Sequence, residues 1–231
     1  MSDRRPVIAI DGPSGAGKST AGRALAERLG FAFVDSGAMY RAIGLAALRA
    51  AIALDDGTAL AQLARAASIR LVGSRPRVFL DGDEVTDEIR TQEVSAAASR
   101  ASAHSGVRRA LVAQQQALGR DGGIVMDGRD IGSAVFPDAD VKFFLDAAPT
   151  KRAERRCREL GGNATMAEVE LVEREIHERD LADSTRSDSP LVRLPDAIYV
   201  DSSTMTPEEV VESMLAAVEM KCGVQPNEKG A

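Results

Sequence analysis

The chain has 231 residues and a formal net charge of −6, a length suited to one α/β domain with an insertion and able to bury a core without covalent staples. The acidic balance, the absence of tryptophan and the presence of only two tyrosines argue against a nucleic acid polymer as partner, which would call for a basic face or a stacking platform. Cys157 and Cys222 are too few and too far apart for a metal site or a disulfide framework, and no apolar run reaches the length of a membrane span.

Taken in order, Met1–Pro6 leads directly into the apolar run Val7–Asp11, so no signal peptide is expected and a cytoplasmic location follows. Val7–Asp11 reads as a buried parallel strand. Gly12-Pro13-Ser14-Gly15-Ala16-Gly17-Lys18-Ser19 comes next and opens a helix over about Lys18–Leu29, stopped by Gly30. The spacing G-x-x-x-x-G-K-S lets backbone N–H groups close around phosphate oxygens. The lysine adds a point charge, the serine hydroxyl can ligate Mg²⁺, and the helix directs its positive end at the anion. Roughly 0.004 such matches are expected by chance in a chain of this composition. A nucleoside polyphosphate ligand is therefore expected.

Phe31–Asp35 reads as a second strand, and Asp35-Ser36-Gly37 leads into a helix that carries Arg41 and runs to about Ala51. That helix N-terminus, with Ser36 and an arginine one turn on, suits a second phosphate, although a capped helix with a solvated arginine would also fit. A helix over about 58–67 precedes short alternating strands at 69–72 and 78–80, with Gly73–Pro76 as the turn between them and Asp81–Val85 as a further turn leading to a third extended piece. Such hairpin chemistry inside an alternating α/β pattern predicts an inserted antiparallel lobe. Helices over about 91–103 and 106–119 follow.

Gly123–Asp127 and Val141–Asp146 restore the buried-strand pattern, and Asp127-Gly128-Arg129-Asp130 follows the first of them. A carboxylate and an arginine near a phosphate loop can serve Mg²⁺ and phosphate, and a plain charged turn is the alternative. Pro149 begins a basic helix with Lys151, Arg152, Arg155, Arg156 and Arg158, and Gly161-Gly162-Asn163 follows as a loop. Thr165 and Glu168 have capping-box spacing for a charged helix that holds Arg179, Asp183 and Arg186 at i, i+4 and i+7, on one face if the helix persists. The last strand is 197–201, Thr206-Pro207-Glu208-Glu209 opens the last helix with a capping box and a proline at its first position, and Val224–Ala231 reads as a frayed polar tail.

Five apolar strands separated by helices predict a five-stranded parallel sheet wrapped by helices, with a small antiparallel β insert and a helical lid. Asp11, Asp35, Asp127 and Asp146 each end a strand and so share the ligand-binding edge with the phosphate loop. The core is expected over about 1–36, 104–148 and 190–224, the insert over about 37–103 and the arginine-rich lid over about 149–189. Two phosphate sites with a basic lid imply transfer between two nucleotides, by alignment and charge neutralisation rather than a covalent intermediate. A kinase of another small acceptor and a nucleotide-dependent switch without an acceptor are the competing readings.

The segments IAIDGPSGAGKST, VDSGAMYRA, DEIRTQEVSAAAS, VMDGRDIGSAVFPDADVKFFLDA and ERDLADSTRSDSPL, spread over about residues 7–201, make the chain resemble the bacterial cytidylate kinases. These belong to the nucleoside monophosphate kinase family of P-loop proteins. The resemblance implies transfer of the γ-phosphoryl group of ATP to CMP or dCMP. ATP would lie on Gly12, Pro13, Ser14, Gly15, Ala16, Gly17, Lys18, Ser19 and Thr20, with Mg²⁺ near Ser19 and Lys18 on the phosphates. Arg41, Arg129 and Arg186 would hold the acceptor phosphate beside Ser36. Ser99, Arg108 and Asp130 would read cytosine, and Arg179 and Asp183 would reach the ribose. Lys18, Arg129 and Arg186 would act in catalysis, and a monomer is expected.

Overall fold

The computed structural model describes residues 4–73, 77–159, 165–225 and 227. Its frame is a five-stranded sheet built from the runs that read as buried strands: β1 (Val7–Asp11), β2 (Ala32–Asp35), β6 (Ile124–Gly128), β7 (Val141–Asp146) and β8 (Ile198–Asp201), in the order β2-β6-β1-β7-β8. β1 lies between β6 and β7 and runs parallel to both, with Ile10 opposite Asp127 and Phe143. Parallel pairing buries both faces, which is why all five β1 residues are buried and branched residues dominate the run. The chain after β1 therefore emerges at the carboxyl edge beside a change in strand order, where open α/β sheets bind ligands.

The chain divides into two compact units, Met1–Ala32 with Gly122–Ala231, and Phe33–Asp121. In the first, α1 (Lys18–Leu29) packs on β6 and on α8 (Pro207–Cys222), and α6 (Pro149–Glu159) packs on α7 (Met166–Thr185). Ile8, Ile10, Leu25, Met126 and Phe143 are fully buried in its core. Both predicted capping boxes form, Thr165 with Glu168 and Thr206 with Glu209, and Pro207 starts α8.

The second unit holds α2 (Ser36–Arg49), α3 (Gly57–Ala66), α4 (Gln92–Ser102) and α5 (Ser105–Leu118) with an antiparallel sheet. That sheet is β3 (Ile69–Val72), β4 (Arg77–Leu80) and β5 (Asp83–Glu84), Ile69 facing Leu80 and Phe79 facing Glu84. The expected antiparallel insert is thus present, and its third strand is the two residues Asp83–Glu84, inside the stretch expected to be a turn. α2 and α4 come so close that a Cβ on Gly44 would meet the Ala98 nitrogen at 2.8 Å. α5 packs against α3, and the His104 imidazole at its N-cap hydrogen-bonds with the Leu54 carbonyl through Nε2.

The helix does not persist to Arg186: α7 ends at Thr185, and Arg186 is its C-cap with φ −62° and ψ 144°, so it leaves the helical face that Arg179 and Asp183 occupy. The expected loop Gly161–Asn163, residues 74–76 of the expected turn and the last residues of the tail lie outside the described residues.

Candidate active site

The phosphate loop connects β1 to α1 as the spacing predicts. Gly12 has φ 149°, and a Cβ there would lie 2.0 Å from the Leu145 carbonyl oxygen. Gly15 has φ 73°, and a Cβ would meet the Arg152 carbonyl oxygen at 2.7 Å. Only glycine fits either position. Gly17 caps α1 with no side-chain bond to the first turn, so the helix presents its N-terminal N–H groups to an anion.

Lys18 is buried, and its Nζ donates to the Pro13 carbonyl at 2.7 Å. Burial, and next the neighbouring Arg129, push its pKa down to about 7, against the pull of Asp127, Asp180 and Asp11. Ser19 Oγ donates to Asp127 Oδ2 at 2.6 Å, and Asp127 is only 3% exposed at the end of β6. Hydroxyl and carboxylate oxygens are the hard ligands that Mg²⁺ prefers, completed by nucleotide phosphates, so this pair fits such an ion. Among the described residues no group of three or more His, Cys, Asp and Glu could hold a metal.

The turn after β6 is drawn to the loop by side chains from distant segments. Arg129 Nε donates to Asp183 Oδ2 at 2.9 Å, and its NH2 donates to Ser14 Oγ at 2.7 Å. Asp183 Oδ1 also accepts from Arg186 NH1 at 3.3 Å, while Arg186 NH2 lies 3.5 Å from Asp130 Oδ1. The side chains of Arg129, Asp183 and Arg186 are all less than one-fifth exposed, so this network is shielded from solvent. Arg179 is half-buried on the same helix.

Asp11 fixes this turn from below. Its two carboxylate oxygens accept from Ile131 N and Gly132 N, both at 2.8 Å. Residues Ile131–Val135 then form one π-type turn, a local distortion that sequence periodicity does not reveal. Burial pushes the Asp11 carboxyl up to about 6; the two backbone bonds oppose that rise, Asp130 adds to it and Lys18 opposes it.

The basic helix α6 reaches the loop as well. Arg152 NH1 donates to the Ser14 carbonyl at 3.0 Å, and Arg155 NH1 donates to the Ala16 carbonyl at 3.2 Å and to Ser202 Oγ at 2.8 Å. Asp180 accepts from Ser14 N at 2.9 Å and pairs with Arg152. Neither Arg152 nor Asp180 stands out among the many charges of its helix, and only this long-range geometry singles them out.

The remaining expected residues lie in the second unit. Asp35 caps α2 by accepting from Ala38 N at 2.8 Å and also accepts from Arg41 NH2 at 2.9 Å. Arg41 Nε is buried without a hydrogen-bond partner, a donor still to be satisfied. Ser36 is buried at the start of α2, Ser99 is half-buried on α4, and Arg108 is 2% exposed on α5. The structure thus brings together the phosphate loop, Asp127, Arg129, Asp130, Asp183 and Arg186 in one unit, and carries Ser36, Arg41, Ser99 and Arg108 on neighbouring helices of the other.

Residues 8–220 match the cytidylate kinase family model. The chain is 48% identical over 217 residues to a cytidylate kinase of Solibacter usitatus, covering 93% of each chain. It is 47% identical over 216 residues to a cytidylate kinase of Pelotomaculum thermopropionicum, covering 92% of this chain and 96% of that one. Among the described residues no helix is long and apolar enough to cross a membrane. With its phosphate loop tied to the Asp127–Asp130 turn and matched over nearly its whole length, the chain belongs to the cytidylate kinase family.

Proposed function

We infer that this chain transfers the γ-phosphoryl group of ATP to CMP or dCMP, giving ADP and CDP or dCDP, as a cytoplasmic monomer. The observation that carries the reading is the Ser14–Arg129–Asp183–Arg186 network, which links the donor loop to a pair of shielded arginines. A pair of arginines beyond the donor loop suits the phosphate of an acceptor.

In this reading the backbone of residues 12–20 holds the ATP phosphates, and Lys18 exchanges the Pro13 carbonyl for them. Ser19 and Asp127 would hold the Mg²⁺ that accompanies ATP, which neutralises phosphate charge. Arg41, Arg129 and Arg186, beside Ser36, take the acceptor phosphate. An acceptor phosphate oxygen forms the new bond to Pγ while the bond from Pγ to the bridging oxygen of ADP breaks. Guanidinium forks suit this step because each offers two donors to phosphate oxygens whose charge is being redistributed. No protein nucleophile is required, and the acceptor phosphate attacks as the anion it already is.

Ser99, Arg108 and Asp130 read the base. Cytosine presents an N4 amine donor beside the N3 and O2 acceptors, which a carboxylate and a cationic donor complement. Arg179 and Asp183 reach the ribose. The test is Asp130→Asn, assayed by steady-state kinetics against both substrates. The KM for CMP should rise about tenfold or more, with that for ATP changing less than about twofold. An equal rise in both would remove Asp130 from base recognition.

A further inference from the structure

All three polar groups of Ser14 are held by charged side chains. Its N–H donates to Asp180 Oδ1 at 2.9 Å, its carbonyl accepts from Arg152 NH1 at 3.0 Å, and its hydroxyl accepts from Arg129 NH2 at 2.7 Å. Arg152 and Asp180 also pair with each other, with side chains 11% and 15% exposed. Arg152 Nε is fixed in turn on the Ala147 carbonyl at 3.1 Å. α6 therefore grips the carbonyl side of Ser14 and α7 the amide side. The acceptor roles assigned to α7 make no use of Asp180.

We propose that Asp180 is a positioning residue: with Arg152 and Ser14 it forms a pin that fixes α7 on the phosphate loop and so places Arg179, Asp183 and Arg186 for the acceptor nucleotide. The inference rests on the reading that those three residues serve the acceptor. Asp183 follows Asp180 by three residues and so lies on the same side of α7, one turn on. If the helix rolls or lifts by about an ångström, Asp183 leaves hydrogen-bond range of Arg129, and misplacement on that scale costs about a hundredfold in rate. The proposed function assigns Asp180 to neither nucleotide, although its charge also favours protonated Lys18, behind Asp127 in strength. Its loss would act chiefly through the helix, on acceptor binding and alignment, with a smaller effect on ATP.

The test is steady-state kinetics with ATP and CMP on the full chain, alongside thermal unfolding and the affinity for ATP alone. The variants are Asp180→Ala, Asp180→Asn, Arg152→Ala and the Asp180→Ala/Arg152→Ala pair. Asp180→Ala should raise the KM for CMP about tenfold and lower kcat about tenfold, with ATP affinity within about threefold of wild type. Asp180→Asn keeps an acceptor for Ser14 N–H but loses the ion pair, so its effect should be intermediate. The double variant should be no worse than Asp180→Ala by more than about threefold, because both changes remove one pin. The proposal is overturned if Asp180→Ala leaves the KM for CMP within about twofold, weakens ATP and CMP in equal proportion, or multiplies with Arg152→Ala. Should Asp180→Ala fail to unfold cooperatively, Asp180→Asn decides: a rise of about threefold or more in the KM for CMP supports the pin, and a smaller one overturns it. Arg186→Ala separates the two levels. If it raises the KM for CMP while Asp180→Ala does not, the pin fails and the acceptor reading stands. If neither changes it, the acceptor reading fails.

Discussion

Replacing Asp11 with asparagine should change stability by an amount that depends on pH in a defined direction. The carboxylate lies under the Arg129–Asp130 turn, accepts from Ile131 N and Gly132 N, and is almost fully buried. Its pKa stands at about 6, raised from 3.8 chiefly by burial. A group whose pKa is higher in the folded state holds more protons when folded. Its stabilising contribution is fully present below about pH 4 and is lost as pH rises through about 6. The full difference of about 2.2 pKa units corresponds to about 3 kcal/mol. Between about pH 4.5 and 7.5 the wild-type chain should lose about 2 kcal/mol from this group. Asparagine cannot titrate, so the variant does not share that loss. It does set an NH₂ group against a backbone N–H, at a cost of about 1–3 kcal/mol that is the same at both pH values. Urea unfolding of both chains at both pH values isolates the titrating part. The gap in midpoint between wild type and variant should move by about 0.7–1 M urea in the variant's favour on going from acid to neutral. A movement below about 0.2 M, or one of opposite sign, would refute the account of Asp11 as a charge held by two amides against its burial cost.

Three further outcomes follow from particular contacts. Gly44→Ala would set a Cβ 2.8 Å from the Ala98 backbone nitrogen, and backbone cannot yield as a side-chain tip can. Overpacking of about 1–3 kcal/mol should exceed the helix-propensity gain of about 0.5–1, lowering the melting temperature by a few degrees in a calorimetric scan; an unchanged or raised value would contradict it. Arg129→Lys cannot reach both Asp183 and Ser14 Oγ from one ammonium, so kcat/KM for CMP should fall about a hundredfold or more, and a loss below about threefold would remove the fork from the mechanism. Asp127→Ala should raise the Mg²⁺ concentration for half-maximal activity about tenfold or more, with partial rescue at high Mg²⁺; an unchanged Mg²⁺ titration would detach Asp127 from the metal.

Sequence was most legible where the chemistry is local. The phosphate loop needs glycine at Gly12 and Gly15 for backbone reasons, so its spacing survives in one line of residues. Capping boxes at Thr165 and Thr206 are local signals within one helical turn, and both formed. The small antiparallel sheet was readable from alternation and turn residues in the same way. The unreadable parts depend on partners far along the chain. The π-type turn after Asp130 is held by Asp11, 120 residues earlier. Asp180 looks like any acid on a charged helix until Ser14, 166 residues away, is placed against it. Arg186 fits a helical face by spacing but sits past the end of α7, just before Ser187-Asp188-Ser189-Pro190. Helical periodicity could not see where the helix stops. Arg152 and Arg155 read as two members of a basic run, and only the structure shows that they donate to the carbonyls of Ser14 and Ala16.

The central claim is that the acceptor half of the site, and not the phosphate loop, defines the enzyme. ADP release from ATP and Mg²⁺, measured with CMP, dCMP, UMP, AMP and GMP as acceptors, tests it most directly. The account predicts kcat/KM for CMP or dCMP at least about a hundredfold above those for AMP and GMP, with little ATP consumed when no acceptor is present. Turnover with AMP equal to or above that with CMP, or a rate indifferent to any acceptor, would contradict it.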